Sequence, residues 1–286
     1  MKLARFEIDG QTDIGIIEDE GVISLTAAGY EHDGMLSIIA GGQKALDEIH
    51  ALTEAIAPHH RLKDVRLLAP IERPGKYLAI GMNYSKHIEE MGHAERPAHQ
   101  YWFNKQTTCI TGPFDPIDPG VSKRLDYEVE LGVVIGKLAK GVKAADALDH
   151  VFGYFVADDV SARDWQKHSP TFTMGKSFDT HGPIGPWIVT ADEIADPQNL
   201  ALRSFVNGEK RQESNTSNML FPLAEQIEYL STAFTLEPGD LIATGTPEGV
   251  GMAMDPPQFL QPGDVVRCEI DGIGAIENKV AEPGGA

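Results

Sequence analysis

The residues with the clearest capacity for chemistry are carboxylates placed where a core strand should be apolar. In Asp126-Tyr127-Glu128-Val129-Glu130-Leu131-Gly132-Val133-Val134-Ile135, an extended backbone alternates side chains between two faces, so Glu128 and Glu130 share one face. Their neighbours are the Val, Leu and Ile of a buried sheet. Two unpaired anions side by side in such surroundings are strongly disfavoured, because each loses its hydration. A hard divalent cation removes that penalty, and carboxylate oxygens are the ligands that Mg²⁺, Mn²⁺ and Ca²⁺ prefer. The competing arrangement is an edge strand with its acidic face in water. A second run, Phe155-Val156-Ala157-Asp158-Asp159-Val160, also ends in acid. That makes Asp159 a candidate third oxygen ligand, with a turn or helix-capping aspartate as the plainer alternative.

His87 and Glu90 stand three residues apart, on one face of a helix. A carboxylate against an imidazole holds its tautomer and raises its basicity, which suits the activation of water. The alternative is a surface pair of little energetic weight. Arg163 and Gln166 share a helix face in the same way and could hold an anionic group. Lys176 lies in the largely uncharged stretch Thr173-Met174-Gly175-Lys176-Ser177-Phe178. A desolvated lysine there could stabilise developing negative charge, whereas a snorkelling surface lysine could not. Thr244-Gly245-Thr246-Pro247 ends a strand in a polar loop that offers hydroxyl and amide donors, or forms only a tight turn.

These residues need elements to position them. Short strands read over Leu3 to Ile8, Thr12 to Ile17 and Gly21 to Leu25, with a turn at Asp9-Gly10. Ala45, Ile49, Leu52 and Ile56 recur at helical spacing. The strand Val65 to Ala69 runs into Pro70 and Arg73-Pro74-Gly75, a candidate boundary between a small N-terminal α/β domain (residues 1–70) and a larger domain (residues 71–286). In the larger unit, strands read over Lys76 to Gly81, Tyr101 to Phe103, Tyr127 to Ile135, Gly153 to Val160, Trp187 to Val189, Ala201 to Val206, Asp240 to Thr244 and Val265 to Ile270. Helices read over Tyr84 to Met91, capped by Asn83 or Ser85, over Ala144 to Val151, over Phe221 to Phe234, and over Ser161 to Lys167. In the last of these, Ser161 and Asp164 have capping-box spacing. Strands outnumber helices without alternating cleanly with them, which predicts an α+β, mainly β, architecture rather than a doubly wound sheet.

Composition narrows the function classes. The chain has 286 residues, 24 Lys and Arg against 43 Asp and Glu, and a formal net charge of −19. Such a field repels nucleic acid and anionic membrane surfaces and favours solubility; an anionic substrate would need a local cation. Two cysteines, Cys109 and Cys268, do not make a disulfide framework. The N-terminal Met1 to Gly10 lacks the apolar run of a signal peptide, and no stretch approaches bilayer-spanning length, so a cytoplasmic location is expected. Gly175-Lys176-Ser177 imitates the end of a P-loop, but Pro170 stands where its first glycine should be. No dinucleotide-binding glycine motif, nucleophile elbow, zinc-protease motif or C-x-x-C pair occurs.

Taken in order, His87 to Glu90, Glu128 to Glu130, Asp159 to Gln166, Gly175 to Thr180 and Thr244 to Gly251 form a series that resembles the fumarylacetoacetate hydrolase superfamily. Asn207-Gly208-Glu209 and Leu236-Glu237-Pro238-Gly239-Asp240 fit the same pattern. The resemblance implies a mixed β-roll catalytic domain, usually a homodimer, with one Mg²⁺ or Mn²⁺ per subunit. It implies that Glu128, Glu130 and Asp159 ligate the metal. His87 and Glu90, on a lid-like segment, would activate water. Lys176 would stabilise an enolate or oxyanion, and Arg163, Gln166 and Thr246 would contact substrate. Long fumarylacetoacetases carry a further aspartate ligand ahead of the histidine; Leu78 to Met82 offers none, which is similar to the short acylpyruvase-like branch. The implied reaction is cleavage of a 2,4-dioxo acid, such as maleylpyruvate, fumarylpyruvate or a diketo-deoxy sugar acid, to pyruvate and a carboxylic acid. Oxaloacetate decarboxylation and hydroxymuconate-type isomerisation or decarboxylation use the same site. Substrate length should depend on His93, Arg96 and His99 after Glu90 and on the Met252 to Phe259 loop.

Overall fold

A strand apolar on both faces needs cover on both sides, and Val129–Ile135 has it: all seven residues are buried. Val129, Leu131, Val133 and Ile135 enter one hydrophobic cluster, and Val134 faces another. This strand is therefore central, and the edge-strand alternative fails. It pairs antiparallel with Val151–Asp158 on one side and with Leu241–Ala243 on the other. In the computed structural model, which describes residues 1–92 and 96–285, it sits inside a twelve-stranded sheet. His93 lies outside the described residues.

From Leu241–Ala243 the sheet continues through a parallel pairing to Tyr77–Gly81 and ends at the antiparallel Tyr101–Lys105. In the other direction Val151–Asp158 pairs with Gly182–Thr190, which pairs with Lys2–Ile8 through Lys2↔Val189 and Leu3↔Ile188. Residues 1–70 thus add their strands to the edge of the same sheet. A four-stranded antiparallel sheet, in the order Glu209–Asn215, Ala201–Val206, Val265–Ile270, Gly274–Lys279, packs against its face. Leu202, Val266, Cys268 and Ile276 from this sheet share a core with Val129, Leu131 and Val133. The result is a mainly β, mixed-sheet roll, as the strand-rich pattern predicts. No helix among the described residues is long and apolar enough to cross a membrane.

Several local expectations change. The N-terminal helix covers Met35–Thr53, beginning ten residues before the periodic set and kinked at Gly42. Two glycines, Gly41 and Gly42, interrupt the pattern that would have extended it. Helix Ser85–Glu90 has no side-chain cap. Asn83 is fully buried instead, and ties that helix entry to two distant segments. Its Nδ2 donates to Phe221 O and Thr244 O, and its Oδ1 accepts the Phe221 N–H. The Ser161–Asp164 capping box does not form. Ser161–Ala162 is a short strand paired with Leu125–Asp126, and Asp164 accepts from Ser122 Oγ and the Lys123 N–H. The strands Glu209–Asn215 and Gly274–Lys279 escape sequence reading because one is an almost wholly polar edge strand and the other pairs only on one side.

Asn83→Ala is expected to lower thermal stability markedly. It leaves the buried Thr244 carbonyl and Phe221 N–H without partners, each at about 1–3 kcal/mol. Calorimetric unfolding measures the loss, and an unchanged Tm would show that these groups find other donors and acceptors.

Candidate metal centre and active site

The pairing of the two central strands brings the carboxylates together. In their antiparallel register Val129 stands opposite Asp158. The next residues out, Glu128 and Asp159, then meet at the strand ends, and the Asp159 N–H donates to Glu128 O at 2.9 Å. Glu130 lies two residues along the same face as Glu128. Glu128, Glu130 and Asp159 are 5%, 1% and 0% exposed, and each offers an oxygen within 4.8 Å of the others.

Buried cations answer part of this charge. Lys176 Nζ lies 2.6 Å from both Glu128 Oε2 and Asp159 Oδ2. Lys105, equally buried, donates to Asp159 Oδ1 and to the carbonyls of Lys176 and His181. Arg163 is held between Asp126, at 2.9 Å, and Glu128, at 2.7 Å. Burial opposes ionisation of Glu128, but Lys176, Arg163 and His87 together hold its carboxyl below the usual range. Glu130 goes the other way. Burial, then the negative charges of Asp159 and Glu128, push it well above the usual range, and its one hydrogen-bond donor among the described residues is the Gly245 N–H at 2.8 Å. The three carboxylates therefore converge in an all-oxygen donor set in which Glu130, among the described residues, is paired with no cation, and this fits a hard divalent cation such as Mg²⁺ or Mn²⁺.

Beside this cluster the helix Ser85–Glu90 presents His87, whose Nδ1 is 2.6 Å from Glu90 Oε1. The other Glu90 oxygen accepts the Gly249 N–H at 2.8 Å, so the pair is held by the 244–251 loop. Lys176 arrives from the one-turn helix Thr173–Lys176, packed on the one-turn helix Arg163–Gln166. Gly175 permits that approach, since a Cβ there would lie 2.3 Å from Gln166 Cα. A cavity of about 210 Å³ opens over the site, walled by Ile80, Met82, Phe103, Phe172 and Met252. Every predicted site residue lines it except Glu90 and Asp159, which are bonded to residues that do.

Two side chains expected to meet substrate are engaged within the protein. Arg163 is committed to Asp126 and Glu128. The Thr246 hydroxyl donates to Val129 O at 3.0 Å and accepts from Gln212 Nε2 at 2.8 Å. Gln166 keeps its amide nitrogen available, because its Oε1 accepts from Arg163 Nη1. Sequence reading missed three buried supports. Lys105 reads as an ordinary strand lysine; the signal is that it shares a face with Phe103. Asp126 looks like a strand-start acid, but accepts the N–H groups of Tyr127, Gly251 and Met252. Gln212, on the polar edge strand, accepts the Val129 N–H and binds the 244–251 loop. No periodicity singles it out.

Comparison with known proteins supplies a context for this geometry. Residues 76–281 match the family model described as fumarylacetoacetate (FAA) hydrolase C-terminal, and residues 1–70 match one described as Rv2993c-like, N-terminal. The chain is 47% identical over 249 residues to a mitochondrial oxaloacetate tautomerase, fahd2, from Xenopus laevis, covering 86% of this chain and 78% of that protein. It is similar in structure to a maleylpyruvate hydrolase from Sphingobium sp. SYK-6 solved with manganese(II) and pyruvate. That match has a TM-score of 0.84 and 31% identity, over 99% of this chain and 100% of the other. A fumarylacetoacetate hydrolase from Exiguobacterium antarcticum matches with a TM-score of 0.84 and 39% identity over 99% of both chains.

Glu130→Gln separates the carboxylate cluster's two roles. The variant replaces a buried carboxyl whose ionised form the metal-free protein disfavours, so its metal-free Tm should equal or exceed that of the parent. Mn²⁺ at about 100-fold excess over its Kd should stabilise the parent by about 2.7 kcal/mol and the variant hardly at all. Scanning calorimetry with and without Mn²⁺ reads both. A retained Mn²⁺ shift would show that Glu130 is not a ligand.

Proposed function

The chain belongs to the fumarylacetoacetate hydrolase family, and we propose that it hydrolyses the C3–C4 bond of an acylpyruvate, releasing pyruvate and a carboxylic acid. The observation that carries this reading is the His87–Glu90 pair placed over the same cavity as the Glu128, Glu130 and Asp159 cluster. Enolisation alone needs no base aimed at water; hydrolysis does.

Glu128, Glu130 and Asp159 hold the cation, and Arg163 keeps Glu128 in place. When bound, the Mg²⁺ or Mn²⁺ ion supplies a Lewis acid and a template for the carboxylate and 2-oxo group of the substrate. Glu90 Oε1 accepts the Nδ1 proton of His87, which leaves the Nε2 lone pair as the base. His87 Nε2 takes a proton from water as the water oxygen bonds to C4. The C3–C4 bond then breaks, its electron pair passing to the pyruvate enolate, while the acyl group leaves as a carboxylic acid. The Lys176 ammonium, held between Glu128 and Asp159, faces the negative charge that develops. Proton return to C3 completes pyruvate. The Gln166 amide orients the substrate, and the Met82, Phe172 and Met252 wall receives the acyl group and limits the entry of bulk water.

A second reading keeps the enolate chemistry without water attack. The relative from Xenopus laevis carries the name oxaloacetate tautomerase; decarboxylation of oxaloacetate would use Lys176 and the carboxylate cluster without an attacking water, and keto–enol exchange would use the same groups with His87 taking the C3 proton in place of a water proton. One experiment divides the two. Protein stripped with chelator is reloaded with Mg²⁺ or Mn²⁺ and offered acetylpyruvate, fumarylpyruvate, maleylpyruvate, a diketo-deoxy sugar acid and oxaloacetate. Hydrolysis should vanish with the metal and return with it. His87→Ala should lose it by roughly 10²–10⁴-fold with metal affinity unchanged. Turnover of oxaloacetate alone, with no dioxo acid hydrolysed, would replace the hydrolase reading with the tautomerase or decarboxylase one.

A further inference from the structure

Resting on that reading of the His87–Glu90 pair, we propose that the Tyr127 hydroxyl is a positioning residue for this base, acting through the backbone of Gly249. The helix that carries the pair is a short one, Ser85–Glu90, without a side-chain cap. Glu90 Oε1 is taken by His87, and Oε2 ties the pair itself to the 244–251 loop, through the Gly249 N–H at 2.8 Å. Gly249 is held in turn on its other polar group, for Tyr127 Oη donates to Gly249 O at 3.0 Å. Gly249 has φ +103°, and a Cβ would lie 2.2 Å from the Arg211 carbonyl oxygen. The N–H can be aimed at Glu90 from this crowded, left-handed backbone because the residue is glycine.

Tyr127 immediately precedes Glu128. Its side chain therefore points away from the carboxylate face, and it does not line the cavity. The ring is 1% exposed and belongs to the core shared with Val129 and Leu131. Packing explains the ring but not the hydroxyl: Tyr77 and Tyr84 are equally buried, and their hydroxyls find no partner among the described residues. Asp126 reinforces the same join by accepting the N–H groups of Gly251 at 2.8 Å and Met252 at 3.0 Å. Residues 126–128 thus hold a carboxylate of the cluster on one face and, through the loop, the base on the other. Base and cluster are both tied to one short stretch of backbone.

Tyr127→Phe keeps the ring and removes the bond. In the Mn²⁺-loaded protein, kcat for dioxo-acid hydrolysis should fall about 10-fold to 100-fold, the scale of a small misplacement of a catalytic group. KM and Mn²⁺ affinity should stay within about twofold. Amide hydrogen exchange over residues 85–90 should quicken. In a Glu90→Gln background the same change should add little, since the relay no longer ends on a carboxylate. Mn²⁺ affinity falling with kcat would make Tyr127 a support for Glu128 and overturn the proposal. Unchanged lid exchange, or a loss that adds fully to that of Glu90→Gln, would overturn it too. If the parent protein hydrolyses no dioxo acid, the hydrolase reading fails separately. Lid exchange at unchanged Mn²⁺ affinity then decides the relay on its own, quicker exchange supporting it and unchanged exchange overturning it.

Discussion

Three carboxylates buried at the seam of two central strands set the terms for the rest of the molecule. Like charges in a low-dielectric interior repel strongly and lose their hydration. The chain meets this with cations drawn from elements far apart in sequence: Lys105 from an edge strand, Lys176 from a one-turn helix and Arg163 from another. Each of these is itself buried and, among the described residues, bonded to carboxylates and to carbonyl oxygens. Removing any one partner strands a charge. The remaining imbalance falls on Glu130, whose surroundings disfavour its ionised form. A fold that keeps an uncompensated acid in its core is poised for a cation, and the uncompensated oxygens converge where the cavity opens.

The same seam explains why so much of the polar machinery points inward rather than at substrate. Thr246, Gln212, Asn83 and Asp126 are buried, and all of them hold the 244–252 segment or its neighbours against the ligand-bearing strand. That segment places the Gly245 N–H on Glu130 and the Gly249 N–H on Glu90. One loop therefore touches both halves of the chemistry, the acid cluster and the imidazole pair. Fixing both from one backbone segment supplies the preorganisation that makes proximity effective.

Members of the family act as hydrolases, tautomerases and isomerases by name, and the site shows how one scaffold can serve all three. The carboxylate cluster sits on the central strands with Lys176 beside it. The His87–Glu90 pair sits on a six-residue helix tied to the body through Asn83 at its entry and Gly249 at its end. Acid cluster and imidazole pair are thus carried by different elements.

Alternation in the run from Asp126 to Ile135, the spacing of His87 and Glu90, and the acid at the end of a strand at Asp159 were legible in the sequence, because each is a local periodicity or adjacency. So were the strand-rich architecture and, from five short motifs in order, the family. The strand pairing that excludes an edge position for Glu128 and Glu130 was not. Nor were Lys105 and Gln212, whose roles depend on partners 54 and 83 residues away. Sequence also pointed Arg163 and Thr246 at substrate; both line the cavity, and their bonds to Asp126, Glu128 and Val129 were not legible in the sequence. Local pattern determines which residue types can do chemistry and which face of an element they share. Which charge neutralises which, and which donors remain free, is decided by tertiary structure, because a buried polar group must be satisfied by whatever the fold brings within about 3 Å of it.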